Sequence, residues 1–413
     1  MARSLRITIV VAAIAWGVFV GSVLAQDDTV GKKKSSSAAA HHATFAQVVH
    51  EHFAQWDQNH DGALDVRELD EAIRRLGVHG EAAAALATIK SRERMAMAAK
   101  ATEFAETEQE LTADVDHLPI HALDAAQGEA KPFRYEAVFN KHLENLTNVN
   151  RRLYAGDKPD FALMHQGSIG DCFFFSVVGN LAAHQPDRIR QMIVAEKAGG
   201  YLVHFGDGHQ VKVARPSDVE IVINNSVHSI EDGIWLTVLE KAVGKRLSER
   251  SKSFVKGQEV TDAISHGGST RAIIGMLTGH QTDVIALRDK KHEVERLAQL
   301  RRVVPEALAA HRLVAVSMGK EPPSGNPKVP KLGYGHAYAV FGFKPNTDQI
   351  KLWNPWGNDV TPKGPSGPEH GFETKHGIFE VPLKTLYDQF SNVSVETTRK
   401  FDPEKSSPQH KPK

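Results

Sequence analysis

Hydrophobic residues between positions 45 and 76 recur with the period of a helix. Phe45 to Trp56 carries Val48, Val49, Phe53 and Trp56 on one face, and a second periodic stretch runs from Val66 to Leu76. A polar, acidic loop separates them. Residues 82–109 are rich in Ala and Glu and predict helix on propensity, and Gly128 to Pro132 breaks that pattern. From about Asn148 to Arg399 the composition is mixed, with apolar runs at Leu313–Met318 and Ala337–Phe343 that predict strands. The Lys-, Ser-, Ala- and His-rich stretch 26–43 predicts a flexible linker, and the polar, Pro-containing end from Asp402 predicts disorder. No repeat of fixed period is visible.

The longest apolar run, Ile7 to Ala25, follows Arg3 and Arg6 and closes on Val23-Leu24-Ala25, the pattern of a signal peptide cleaved after Ala25. The alternative is an uncleaved membrane anchor, because the run approaches spanning length. The expectation is a secreted or periplasmic protein with no stable membrane insertion once the peptide is removed. The chain then divides into a signal peptide (1–25), a linker (26–43), a module around the acidic loop (44–80), a helical connecting region (81–147), a main domain (148–399) and a tail (400–413).

Composition narrows the function. Lys plus Arg and Asp plus Glu both number 50 in the 413 residues, so there is no surplus of positive charge to neutralise phosphates, and no nucleic-acid partner is expected. A hydrophobic content of 41% is ordinary for a folded protein of this length. One cysteine, Cys172, rules out an intramolecular disulfide and any zinc site needing two thiolates. A lone thiol in an exported chain shifts attention from packing to chemistry.

The acidic loop is Asp57-Gln-Asn59-His-Asp61-Gly62-Ala63-Leu-Asp65-Val-Arg-Glu68. It matches the twelve-residue EF-hand loop: Asp57, Asn59, Asp61 and Asp65 supply oxygens, Ala63 its carbonyl, Gly62 the sharp turn and Glu68 a bidentate carboxylate. An all-oxygen donor set selects Ca²⁺ over transition metals. EF-hands usually pair, yet only Leu118–Leu123 faintly echoes Leu64–Leu69, without ligands before it.

Around the thiol the sequence reads Gln166-Gly-Ser-Ile-Gly-Asp-Cys172-Phe-Phe-Phe-Ser-Val-Val. A glycine-containing turn followed by an apolar run predicts Cys172 in the first turn of a buried helix, whose unpaired N–H groups favour a thiolate. A buried cysteine is ordinarily a small hydrophobe. What points to chemistry lies downstream. His336 opens the strand 337–343 and Asn354 closes the strand 350–353, with turn residues Pro345 and Asn346 between. A hairpin centred on residue 345 would set His336 and Asn354 directly opposite, about 4.5–5.5 Å apart at Cβ. Cys, His and Asn in that chain order are the triad of papain-like thiol enzymes. Gln166, six residues before the nucleophile, suits a side-chain amide that donates to an oxyanion together with the Cys172 backbone N–H. Trp356 would either shield the His–Asn hydrogen bond or simply pack in the core.

These segments resemble the calpain family of cysteine peptidases. Gln166-Gly-Ser-Ile-Gly-Asp-Cys172 is similar to that family's Q-G-x-x-G-D-C, Gly335-His-Ala-Tyr338 to G-H-A-Y, and Asn354-Pro-Trp-Gly357 to N-P-W-G. Trp235-Leu-Thr-Val-Leu-Glu-Lys-Ala242 and Gly267-Gly268 through Leu277-Thr-Gly279 agree with two noncatalytic stretches. Phe173 stands where the family usually has Trp, and Trp353 where a basic residue is common. The family's C-terminal paired EF-hands are absent; one loop precedes the core instead. The resemblance implies an α+β, papain-like, two-lobed core, a helical lobe bearing Cys172 and an antiparallel lobe bearing His336 and Asn354, preceded by a small helical EF-hand module. It implies peptide-bond hydrolysis with a protein or peptide as substrate. The rivals are acyl or amide transfer on the same triad and a nonenzymatic calcium-dependent binding protein.

Overall fold

The computed structural model describes residues 42–98, 101, 103–113, 133–167, 169–223, 232–251, 254, 257–265, 267–322 and 326–401. The expected signal peptide, most of the expected linker, the Leu118–Leu123 echo and the tail from Asp402 lie outside these residues.

The N-terminal part is helical. It comprises α1 (Phe45–Trp56), β1 (Ala63–Asp65), α2 (Val66–Ile73), α3 (Gly80–Ala98), β2 (Ala105–Thr107), α4 (Glu108–Thr112) and α5 (Tyr135–Asn148). Thr44 and Gln47 cap α1 reciprocally, and Asp65 and Glu68 do the same for α2, each satisfying amides that a helix start leaves unpaired. The expected helix over 82–109 stops at Ala98, and residues 105–107 form a strand instead. The reason is tertiary: β2 pairs antiparallel with β1, Leu64 opposite Glu106, and this ladder overrides an Ala- and Glu-rich propensity. Thr107 then caps α4 through Glu110, so Thr107-Glu-Gln-Glu110-Leu111 repeats the Asp65-Val-Arg-Glu68-Leu69 arrangement. The partner of the acidic loop is thus the 105–111 segment.

The remainder is α+β. It begins with α6 (Cys172–His184) and α7 (Pro186–Met192), followed by a three-stranded antiparallel sheet of β3 (Ile193–Ala195), β4 (Tyr201–His204) and β5 (Gln210–Val213). Next come α8 (Asp218–Ile223), α9 (Trp235–Ser248) and α10 (Thr270–Thr278). The last third holds β6 (His280–Ala286), α11 (Glu293–Ala309), β7 (Val314–Ser317), β8 (Ala337–Lys344), β9 (Gln349–Trp353), β10 (Ile378–Pro382), α12 (Leu383–Gln389) and β11 (Asn392–Lys400). Its strands form a six-stranded antiparallel sheet in the order β10-β9-β8-β7-β11-β6. Among the described residues no helix is long and apolar enough to cross a membrane.

Two apolar cores result. The larger unites the N-terminal helices with α6, α8, α9 and α10 and one face of the sheet; the smaller packs α11 and α12 on the other face. The N-terminal module therefore shares its core with the main domain, and the expected boundary near residue 148 is not a break in packing. Helix α6 joins helices to sheet. Its Asn180 side-chain amide donates to the carbonyls of Val314 and Val340 at 3.1 and 3.2 Å, and Gly179 lets the Trp353 ring lie against the helix backbone. Trp353 is 1% exposed and packs edge-on against Phe161, which makes it a core residue.

Candidate active site

Cys172 is the first residue of α6, directly after the positively polarised end where four amides lack intrahelical acceptors. Phe173 seats its ring against the Cβ-less face of Gly268, fixing the turn from below. The thiol is 8% exposed, and burial pushes it up to about 11, while the neighbouring backbone N–H of Ala337 opposes that shift.

His336 immediately precedes β8. Its carbonyl accepts from Met318 N–H at 2.8 Å, and Gly335, at φ +68°, turns the chain so that its own N–H reaches the Gly319 carbonyl at 2.8 Å. His336 Nε2 lies 2.8 Å from Asn354 Oδ1. The strand register that brings them together differs from the expected one. Ala339 pairs with Trp353 and Val340 with Leu352, then a bulge at Phe341 shifts the ladder so that Lys344 pairs with Gln349. The turn is Pro345–Asp348, longer than a hairpin centred on residue 345 allows, and His336 is not directly opposite Asn354. The side chains meet diagonally, because Asn354 has already left the strand: its N–H donates to the Gly377 carbonyl at 2.8 Å.

A backbone donor settles the tautomer. Asn354 Oδ1 also accepts the Trp356 N–H at 3.1 Å, while Asn354 Nδ2 donates to Asn358 Oδ1 at 3.2 Å, so the amide oxygen must face the imidazole. Nε2 therefore carries the hydrogen, which leaves Nδ1 unprotonated and able to accept a proton. Trp356 stacks on the ring with centroids 4.3 Å apart and planes inclined by 29°, and Tyr338 meets it edge-on at 4.9 Å. The Tyr338 hydroxyl is itself held by both backbone groups of Gly333. Burial lowers His336 to about 4, so imidazole and thiol rest as a neutral pair. No hydrogen bond joins them in this closed arrangement.

Gln166 stands beside the thiol turn, with its N–H on the Pro355 carbonyl at 2.7 Å. Its side-chain Nε2 donates to the Ile169 carbonyl at 2.7 Å, so it is not free to meet an oxyanion in this state. Asp171 is fully buried, with the Glu240 carboxyl and the Gln166 side chain as its polar neighbours. Burial, and after it the Glu240 carboxyl, pushes Asp171 well above the usual carboxylate range. Sequence reasoning passed over Asp171 and Asn358: the first belongs to the nucleophile motif but carries no evident role there, and the second carries no pattern at all.

The acidic loop turns sharply and holds its oxygens on its own amides. Gly62, at φ +88°, donates to Asp57 Oδ2 at 3.0 Å, Asp61 N–H to Asn59 Oδ1 at 2.8 Å, and Ala63 N–H to Asp61 Oδ1 at 3.0 Å. Glu68 folds across the loop, its Oε1 accepting from Gln58 and Asn59 at 2.9 and 3.0 Å and its Oε2 from Asp65 at 3.2 Å; the Asp65 carboxylate caps the Glu68 N–H in return. Among the described residues no group of three or more His, Cys, Asp or Glu side chains converges as a metal site. One observation fits a cation: Asp57 Oδ1 is buried without a partner, while the opposite carboxylate oxygen is held.

The model of the calpain family cysteine proteases matches residues 141–366, just over half the chain, and spans Cys172, His336 and Asn354. This chain belongs to the calpain family. The match starts inside α5 and ends before β10, so the last strands of the sheet and the acidic loop lie beyond it. No curated protein matches the chain. Membership carries a cysteine protease activity with peptide as its substrate.

Proposed function

We propose that this calpain-family chain is an exported cysteine endopeptidase that cleaves peptide bonds through Cys172, His336 and Asn354 and binds Ca²⁺ at Asp57, Asn59, Asp61, Ala63, Asp65 and Glu68. The observation that carries the reading is the His336–Asn354 hydrogen bond, with its tautomer fixed, beside a thiol at a helix N-terminus.

In the reaction, His336 Nδ1 takes the thiol proton as Sγ adds to the scissile carbonyl, and the imidazolium that forms strengthens its bond from Nε2–H to Asn354. The Cys172 backbone N–H donates to the oxyanion. Gln166 joins it by releasing the Ile169 carbonyl. His336 then returns the proton to the leaving amine, and water hydrolyses the thioester. Because both partners are nearly buried, substrate entry has to open the space above Cys172 and bring Nδ1 and Sγ together. The calcium reading rests on the ligand pattern and the unpartnered Asp57 Oδ1; the ion would draw the carboxylates off the loop amides and supply charge neutralisation there.

The test incubates the purified chain with a denatured protein, with and without calcium and a thiol alkylator, and reads products by mass spectrometry. New peptide termini that vanish on alkylation are expected. Ligated or amidated products would replace hydrolysis with acyl transfer, and unchanged substrate under all conditions would end the enzyme reading.

A further inference from the structure

The N-terminal module meets the main domain through a buried cluster of charge. Lys90 of α3, wholly inaccessible, places Nζ 2.8 Å from Asp70 of α2, 3.0 Å from Glu93 and 2.7 Å from Asp262 of the main domain. Arg94 donates to the other Asp262 oxygen at 2.8 Å and to Thr261 Oγ1 at 2.8 Å. The second Asp70 oxygen accepts the Glu259 N–H at 2.9 Å. Both ends of the 259–262 turn are therefore held by side chains of the module.

That turn leads straight to the nucleophile. The Ser265 N–H and hydroxyl both bond to the Asp262 carbonyl, and the Ser265 carbonyl accepts the Gly170 N–H at 2.8 Å, two residues before Cys172. The approach is so close that a Cβ on Gly170 would sit 2.6 Å from that oxygen. Three residues on, Gly268 carries the ring of Phe173. Residues 259–265 are thus a bracket, gripped by the module at one end and bonded to the turn before Cys172 at the other.

Buried ion clusters are a poor way to gain stability, since apolar replacements of the same volume are often neutral or better. What a cluster of directional, charge-assisted bonds does supply is one fixed registry. We propose that the N-terminal module is a working part of the protease site: Asp70, Lys90 and Asp262 are positioning residues that hold the 259–265 bracket, and through it the nucleophile turn, in register. The proposal rests on Cys172 being the nucleophile. It makes the module a determinant of catalysis rather than an appendage, and it gives α2, which begins within the acidic loop, a mechanical line to the thiol.

The experiment compares Asp70→Asn, Asp262→Asn and Asp262→Glu with Asp218→Asn in the full chain. Asp218 is a control of a similar kind: it binds Arg151 of the main domain at 2.9 Å and His79 of the module at 3.0 Å, and neither of these contacts touches the 259–265 turn. Each variant is measured for melting temperature, for kcat and KM on a peptide, and for the rate of Cys172 alkylation by iodoacetamide from about pH 5 to 9, the range over which thiol reactivity follows ionisation. Displacing the turn by about 1 Å lowers kcat about 100-fold. The expected result is a fall of at least about tenfold in kcat with KM little changed, and an altered alkylation profile, in Asp70→Asn and Asp262→Asn, with partial rescue in Asp262→Glu. Asp218→Asn should lose stability alone. Folded Asp70→Asn and Asp262→Asn proteins with wild-type kcat and alkylation profile overturn the proposal. So does equal impairment in Asp218→Asn, and if Asp262→Asn does not fold, Asp70→Asn alone decides the matter. Alkylation reads the bracket even if the wild type hydrolyses nothing, so failure of the endopeptidase reading is seen separately.

Discussion

Replacing Asn354 with alanine tests the site most directly. The amide makes three bonds: it accepts from His336 Nε2 at 2.8 Å and from Trp356 N–H at 3.1 Å, and donates to Asn358 at 3.2 Å. His336 is buried, so the ring N–H left without an acceptor costs about 1–3 kcal/mol in the folded state. The stacked Trp356 ring and the Tyr338 edge still confine the imidazole plane, but neither selects which nitrogen carries the proton. With the bond strengthening as the imidazolium forms, about 1.4–2.8 kcal/mol of transition-state stabilisation is lost, equivalent to about 10- to 100-fold in kcat. KM should move less than about twofold, since Asn354 contacts the base and not the substrate. Steady-state hydrolysis of a fluorogenic peptide measures both. The partner variant Asn354→Asp keeps the acceptor and adds negative charge, so the acid limb of kcat, governed by a histidine that burial holds at about 4, should move to higher pH. Unchanged kcat in Asn354→Ala, or a loss confined to KM, would refute the assignment of the His336–Asn354 pair.

Four further outcomes are expected. Cys172→Ala and His336→Ala should each abolish turnover of the same peptide while retaining a cooperative melt. Gln166→Ala should lower kcat about 10- to 1000-fold with KM nearly constant, and a pure KM effect would make Gln166 a substrate-positioning group. Millimolar calcium should raise the melting temperature of the full chain, and Glu68→Gln should remove most of that rise; calorimetry showing no uptake would end the calcium reading. His142, held at about 3 by burial and placed against Ser91, contributes stability that is complete above about pH 6.5 and drains away as pH falls toward 3, worth up to about 5 kcal/mol. Urea unfolding of His142→Gln should show a shallower loss than the wild type across that window, and an identical slope would show that His142 does not set it.

The site was more legible than its setting. Residues whose chemistry is local announced themselves: Cys172 after a glycine turn, His336 and Asn354 at strand ends. The register of β8 on β9 did not, because the bulge at Phe341 leaves no mark in a pattern of alternating residues. The helix expected through Gln109 failed for a related reason, since β2 exists only by pairing with a strand some forty residues earlier. The docking cluster was invisible: Asp70, Lys90 and Asp262 look like ordinary surface charges until the fold buries them together. Trp353, which stands where the family commonly has a basic residue, is the wedge that packs sheet against helix.

The Asn180 amide, which ties α6 to the carbonyls of Val314 and Val340, also sets a lever. The nucleophile rides at the far end of that helix, eight residues and about 12 Å from the tie, whereas the base sits on the sheet itself. A rocking of α6 by only about 5° around the tie carries the sulfur about 1 Å relative to the imidazole, a displacement that changes rate by about two orders of magnitude. The fulcrum thus acts through angle: a side chain at 180 that tilts the helix by a few degrees would slow the thiol without touching it.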